Sequence, residues 1–341
     1  MPAAPAPPTT AGPADEAGVE HEALADLART ARFGPLRAYE HDHPGITGPD
    51  AERRLRAALD DDDATVVVAR RGDEVVGVVS VASSPWETEN LGVRVARVGA
   101  PVVGPAVEDA EGVATALYAA VLQHWAEGLV IGRVDVGDTA ALVGAQQAGL
   151  RALETRITYL GDHDAPPDHH HRHRGFEVRR HDGPEVADIP RPALEPLRRW
   201  VAGTDRPGHF YSDPRLSPDR VASLYLSWLD RAFSGAWGDV AYTAWREDQV
   251  VGFLSWLRTP DLEEAFGLRT LVAGLGAAAA PEGRGSLGDM YEAVCTDRPL
   301  GTRFVEHTSQ AGNAAVLTTW SRFHAIRPGM AEYVLHGWVG G

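Results

Sequence analysis

One order of elements occurs twice in this chain, and it constrains the fold more than any other feature. Thr65–Ala69 is a β-branched run, Arg70–Glu74 a polar turn carrying Arg-Gly-Asp, and Val75–Val81 a second valine-rich run, together a hairpin. Val93–Val98 alternates as a strand, Glu111–Trp125 has the apolar face of a helix, and Gly132–Val136 is a short strand. Asp138–Gly149 is a helix closed by glycine, and Arg156–Leu160 a further strand. The same order returns with the hairpin Asp239–Trp245 and Val250–Leu257, then Leu271–Ala280, a helix reaching Cys295, Thr302–Thr308, Ala314–Phe323 and Ala331–Trp338. Helical segments precede both hairpins. The one before the second runs from Ser217 (N-cap) and Pro218 to Phe233, with Leu224, Trp228, Leu229 and Phe233 facing inward. A supersecondary order repeated in this way predicts a duplicated α/β domain. The expected boundaries are a disordered Pro/Ala-rich tail over 1–18, a first domain over 19–161, a His/Pro-rich linker over 162–182 and a second domain over 183–341.

A length of 341 residues suits two domains, and 44% hydrophobic residues supply two cores. The N-terminus lacks the basic start and leucine-type run of a secretory signal, and no apolar stretch is long enough to span a bilayer. One cysteine, Cys295, excludes an intramolecular disulfide and a multi-cysteine zinc site, so a cytoplasmic location is expected. The formal net charge of −16 opposes a long polyanionic partner, so neither nucleic acid nor a membrane is expected as a partner. Asp60–Asp63 reads as a solvated turn and His169–His173 as a polar linker, and no metal site is expected from either.

Only the second copy carries a glycine loop. After Ala277–Ala280 the second copy reads Pro281-Glu282-Gly283-Arg284-Gly285-Ser286-Leu287-Gly288, a glycine-dense turn entering a helix. Glycines let successive backbone N–H groups point outward, and the helix start adds partial positive charge, a combination that holds phosphate or pyrophosphate. The first copy has Pro101–Asp109 there, with Gly104 and Pro105 but no basic residue.

This order, with a phosphate turn after the fourth strand, resembles the GNAT acyltransferase superfamily, whose turn runs Pro-x-x-Arg-Gly-x-Gly-x-x-Leu. Pro281, Arg284, Gly285 and Met290 fit it, while Leu287 replaces the second glycine, one step before Gly288. Gly312-Asn313-Ala314 resembles the family's asparagine after the fifth strand, which contacts the pantetheine arm. Four segments resemble the dTDP-fucosamine acetyltransferase-like branch: Trp86–Ala96, Asp138–Leu142 with Gln146–Leu150, His209–Leu216 with Leu224–Trp228, and the Asn313 segment. The resemblance implies tandem GNAT-like domains, each a mixed, mostly antiparallel sheet flanked by helices. It also implies acetyl-CoA or another acyl-CoA as co-substrate, without a metal, and a small-molecule amine as acceptor. The implied protein is a monomer or homodimer whose second domain acts and whose first is degenerate.

The implied reaction needs a pyrophosphate cradle, an oxyanion donor and proton handling. Gly283–Gly288 supply the first, with Arg284 adding charge, and the backbone of Ala277 and Ala279 the second. At the family's usual tyrosine stands Trp320, whose indole is no acid; His307, Glu306 and His324 are the candidates in its place. Glu306 and His307 are adjacent, so on a strand only one can face the site. The acceptor is expected at His209, Phe210 and Tyr211, an aromatic set suited to a sugar or flat amine. Cys295 is expected as a structural thiol. Two alternatives stand beside this reading: a Fem-type transferase using aminoacyl-tRNA, which the acidic balance opposes, and a non-catalytic GNAT-like binding protein, which Trp320 and Leu287 motivate.

Overall fold

The computed structural model describes residues 8–163, 174–203, 208–323 and 326–340. These form two compact units: Met1–Arg156 with Met330–Gly341, and Ile157–Gly329.

In the first unit the chain runs β1 (Thr9–Pro13), α1 (Ala14–Ala17), α2 (His21–Ala28), α3 (Thr47–Leu59), β2 (Ala64–Arg71), β3 (Glu74–Ser83), α4 (Pro85–Leu91), β4 (Val95–Val98) and β5 (Val102–Val103). It continues with α5 (Ala110–Trp125), β6 (Gly128–Asp135), α6 (Thr139–Gln147) and β7 (Arg151–Asp162), whose last residues belong to the second unit. β2 and β3 pair antiparallel with Val67 opposite Val79, and β4 runs parallel to β6 from Val95↔Leu129 to Val98↔Gly132. Val67, Val79, Val81 and Val98 pack under Leu117, Tyr118 and Val121 of α5 as one core. Burial of such side chains, about 1.5–3 kcal/mol each, is what holds helix to sheet.

The second unit follows as β8 (Glu177–Asp182), α7 (Glu195–Val201), α8 (His209–Ser212), α9 (Pro218–Phe233), β9 (Val240–Arg246), β10 (Gln249–Arg258), α10 (Pro260–Phe266) and β11 (Thr270–Ala278). After these come α11 (Ser286–Asp297), β12 (Phe304–Gln310), α12 (Ala314–Trp320) and β13 (Ile326–Val339). β9, β10 and β11 are antiparallel neighbours, while β11 runs parallel to β12. The duplication extends to detail. α4 and α10 both follow the hairpin, both begin with proline, and both end at a glycine with positive φ, Gly92 and Gly267.

Five expectations differ from the structure. The tail is not structureless throughout: Thr9–Pro13 pairs antiparallel with β2, Thr9 opposite Arg71, because β2 otherwise presents an unpaired edge. Residues 177–182, read as linker, form β8 on β9. The last strand crosses the expected boundary: residues 332–339 of β13 pair with β6, Leu335 opposite Gly132, so the C-terminus completes the first unit. Ser217 stands at the N-cap of α9 without capping by its hydroxyl, and Trp228 is half-buried, stacked on Trp237, rather than in the core. The histidine run 169–173 lies outside the described residues.

Candidate functional site in the second unit

β11 and β12 are hydrogen-bonded neighbours only from Thr270↔Phe304 to Val272↔Glu306. Beyond that point β11 stays with β10 alone and the two parallel strands part. The cause is local: β11 carries one extra residue between Ala273 and Gly276, opposite Leu254–Trp256 of β10. There the Ser255 hydroxyl bonds the Leu275 N–H (2.9 Å) and carbonyl (3.3 Å). A bulge raises twist and bends the strand pair away. Gly274 is needed beside it, since a Cβ there would lie 2.7 Å from Ser255 Oγ.

The parting strands expose one edge of β11. Ala279 N–H donates to the Val251 carbonyl of β10 at 2.8 Å. Hydrogen-bonded pairs alternate along an antiparallel ladder, so Ala277, opposite Phe253, also turns its N–H to β10. Their side chains pack into the core beneath α7 and α9. The N–H facing the open edge is therefore that of Ala278, between the two residues expected from sequence. A one-residue shift in a strand reverses every group, and the sequence carries no marker of this register.

The glycine turn follows, entered through a cis peptide at Ala280–Pro281. Gly283 sits where no other residue fits: a Cβ there would lie 2.1 Å from the Val251 oxygen. Four N–H groups of the run serve the turn itself. Gly283 donates to Ala279, Arg284 to Pro281 (3.2 Å), Ser286 to Gly283 (3.0 Å) and Gly288 to Gly285 (3.2 Å). Among the described residues neither the Gly285 nor the Leu287 N–H donates to a backbone carbonyl, and these two donors remain for an anion. Ser286 is fully buried against Gly252, so its side chain locks the helix start to β10.

A second arginine, which sequence reasoning missed, reaches the turn. A Cβ on Gly285 would be 2.9 Å from Arg174 Cγ and 3.4 Å from its Nε, so the Arg174 side chain lies over Gly285. The buried Asp289 carboxylate anchors this segment, accepting from the Arg174 N–H (3.2 Å to each oxygen) and the Phe176 N–H (3.4 Å). Arg174 and Arg284 are both exposed beside the turn. Arg174 is remote in sequence and follows a histidine-rich run, so no local pattern marks it.

Asn313 caps α12, its Oδ1 accepting from the Val316 N–H at 3.3 Å. Asp138 caps α6 at the matching place of the first unit, accepting from Ala141 N–H at 3.0 Å. Position 313 thus has a structural job whatever else it contacts.

Glu306 and His307 face opposite sides of β12, as alternation requires. His307 is 1% exposed and its ring lies 4.6 Å from Tyr291, 4.7 Å from Trp256 and 4.7 Å from Trp320. Burial, with His163 nearby, lowers its pKa to about 3, so the ring is neutral near pH 7 and has no access to bulk water. Such a ring is a core residue and not a proton carrier. Glu306 is half-buried on the other face, and His324 lies outside the described residues. Trp320, also buried, packs at 5.0 Å against the half-buried ring of Tyr159 on β7. A phenol is therefore present next to the tryptophan, supplied by a different element.

His209 and Phe210 are buried in α8, their rings 3.9 Å apart, whereas Tyr211 is half-buried and stacks on Tyr225 of α9 at 5.6 Å. Tyr225 meets Trp228 and Trp228 stacks on Trp237, both at 5.8 Å, giving a row of half-exposed rings along α9. The Cys295 thiol is pushed up to about 12 by burial and is not a nucleophile. No group of three metal-ligating side chains occurs among the described residues, and no helix there is long and apolar enough to cross a membrane.

Comparison with solved structures gives the architecture a family of likenesses. The chain is similar to a GCN5-related N-acetyltransferase from Sphaerobacter thermophilus, with 17% identity over 97% of this chain and 95% of that one (TM-score 0.57). It is also similar to a tandem GNAT protein from the clavulanic acid biosynthesis pathway, with 16% identity over 98% and 99% (TM-score 0.53). No family model and no curated protein sequence matches the chain. The fold is that of tandem GNAT-like domains, each a mixed sheet flanked by helices.

Proposed function

We propose that the chain is an acyl-CoA-dependent N-acyltransferase, with acetyl-CoA as its donor, acting on a small amine through its second unit. The observation that carries this reading is the parting of β11 from β12 beside a turn whose Gly285 and Leu287 N–H groups and two arginines suit a pyrophosphate. Acyl-CoA supplies a thioester at which an amine nitrogen adds to the carbonyl, the C–S bond breaks and a thiolate leaves. The residues present fit that donor. Gly285, Leu287, Arg174 and Arg284 hold the diphosphate, and the Ala278 N–H, next to the turn and six residues along β11 from the Val272–Glu306 register, donates to the pantetheine arm. The Asn313 amide NH2, left over from capping, meets the pantetheine arm. Glu306 accepts the proton from the amine, and Tyr159 gives one to the thiolate. Tyr211 and the rings following it take the acceptor, for which a nucleotide-linked aminosugar or a specialised-metabolite intermediate is proposed. The net charge of −16 disfavours aminoacyl-tRNA as donor.

Calorimetric titration with acetyl-CoA tests the reading. The wild type should bind, and the double variant Arg284→Glu with Gly285→Asp should lose affinity by about a hundredfold or more through charge reversal and blocked amides. Mass spectrometry with an amine panel should detect acylated product, made about 100-fold or more slowly by Glu306→Gln. Equal binding by the double variant would sink the turn assignment, and binding without product on any amine would leave a binding protein.

A further inference from the structure

The first unit contains a cavity of about 220 Å³ that the reading above does not use. It lies among the end of α2 and the following turn, the segment Pro101–Val107, and the starts of α5 and α6. Its walls are mainly apolar: Ala31, Phe33, Val102, Val103, Val107 and Ala141. The volume is below the roughly 300–1,000 Å³ of a drug-sized pocket, so it takes a small molecule.

Charge decides what kind. The segment entering α5 carries Glu108, Asp109 and Glu111 and no basic residue. Asp109 occupies the helix start itself, accepting from the Gly112 N–H at 2.9 Å. A diphosphate placed there would meet carboxylates where the second unit offers arginines. The acidic residue among those lining the cavity is Asp138. One of its oxygens accepts from the Ala141 N–H, and an ionised carboxylate has about four acceptor sites, so capacity remains. Asp135 lies close to it and is buried. One Asp135 oxygen is paired with Arg37 and the Gly137 N–H (2.7 Å), while the other has no partner among the described residues. Two carboxylates thus face one guanidinium. Arg32, which also lines the cavity, is exposed, and its charge is screened by water.

We propose that this cavity is a binding site for a small organic ammonium ion with a compact apolar body, its charge held by Asp138. The site is independent of acyl transfer in the second unit. A carboxylate at the polar end of an apolar pocket gives a cation a charge-assisted hydrogen bond, while Phe33 and the valines cover the hydrocarbon part.

Saturation-transfer NMR and thermal shift on the full chain, without acyl-CoA, test it with cyclohexylammonium and propylammonium as probes and cyclohexanol as the uncharged control. At least one ammonium probe should bind saturably and cyclohexanol should not. Asp138→Asn, which keeps an acceptor for the Ala141 N–H, should weaken the probe by about tenfold or more. Ala31→Phe, which fills the cavity without touching the cap, should abolish it. Absence of saturable binding by either probe, equal binding of cyclohexanol, an unaltered affinity in Asp138→Asn, or displacement of the probe by coenzyme A would each overturn the assignment. None of these outcomes depends on whether the second unit transfers an acyl group.

Discussion

His307 and Glu306 are neighbours in sequence with opposite fates. Both were candidates on chemical type alone, and strand alternation separates them, one beneath three aromatic rings and one on the other face. The buried histidine has a measurable consequence. Its folded pKa is about 3 against about 6.5 unfolded. Below pH 6.5 the unfolded chain takes up a proton that the folded chain refuses. The residue's contribution to stability is therefore intact above pH 6.5 and is lost progressively as pH falls toward 3. From pH 7 to pH 5 this amounts to about 2 kcal/mol. Urea unfolding at the two pH values should show His307→Leu losing about that much less than the wild type; equal losses would mean that the ring is not held neutral. Tyr159 and Arg174 show the limit of motif reading. Each lies beside a residue far from it in sequence, Trp320 and Gly285, and only packing makes the pairs.

The β11 bulge, the parting of that strand from β12 and the glycine turn behave as one device. Ser255 redirects β11, Gly274 and Gly283 permit two close backbone approaches, and buried Ser286 seats α11 against Gly252. The turn was legible as glycine spacing before a helix, because glycine marks places where a side chain cannot stand. Which amides point outward was not legible, since that follows from hydrogen-bond register. Gly283→Ala places a methyl 2.1 Å from a backbone oxygen that cannot swing aside. We expect destabilisation of about 2–3 kcal/mol and weaker acetyl-CoA binding, read by thermal unfolding and calorimetry. A variant with unchanged melting would show that the turn is looser than described. The equivalent segment of the first unit follows the same strand order without a basic residue, and it lines the cavity for which we propose a cation.

At the scale of the whole chain, the C-terminal strand belongs to the first unit. Residues 332–339 pair with Gly128–Asp135, so the first unit is complete only when the last residues are present. A chain ending at Gly329 should expose the β6 edge, lose the first unit's unfolding transition in calorimetry, and aggregate. An unaltered transition would make that strand dispensable. The duplicated order of strands and helices, the acidic balance and the position of the glycine turn were all settled by sequence, because periodicity, charge count and glycine spacing are local properties that survive without knowledge of partners. The strand that closes the first unit, the outward amides, the second arginine and the burial of His307 were decided only by tertiary structure, because each is a relation between residues distant in sequence that packing and hydrogen-bond register bring together.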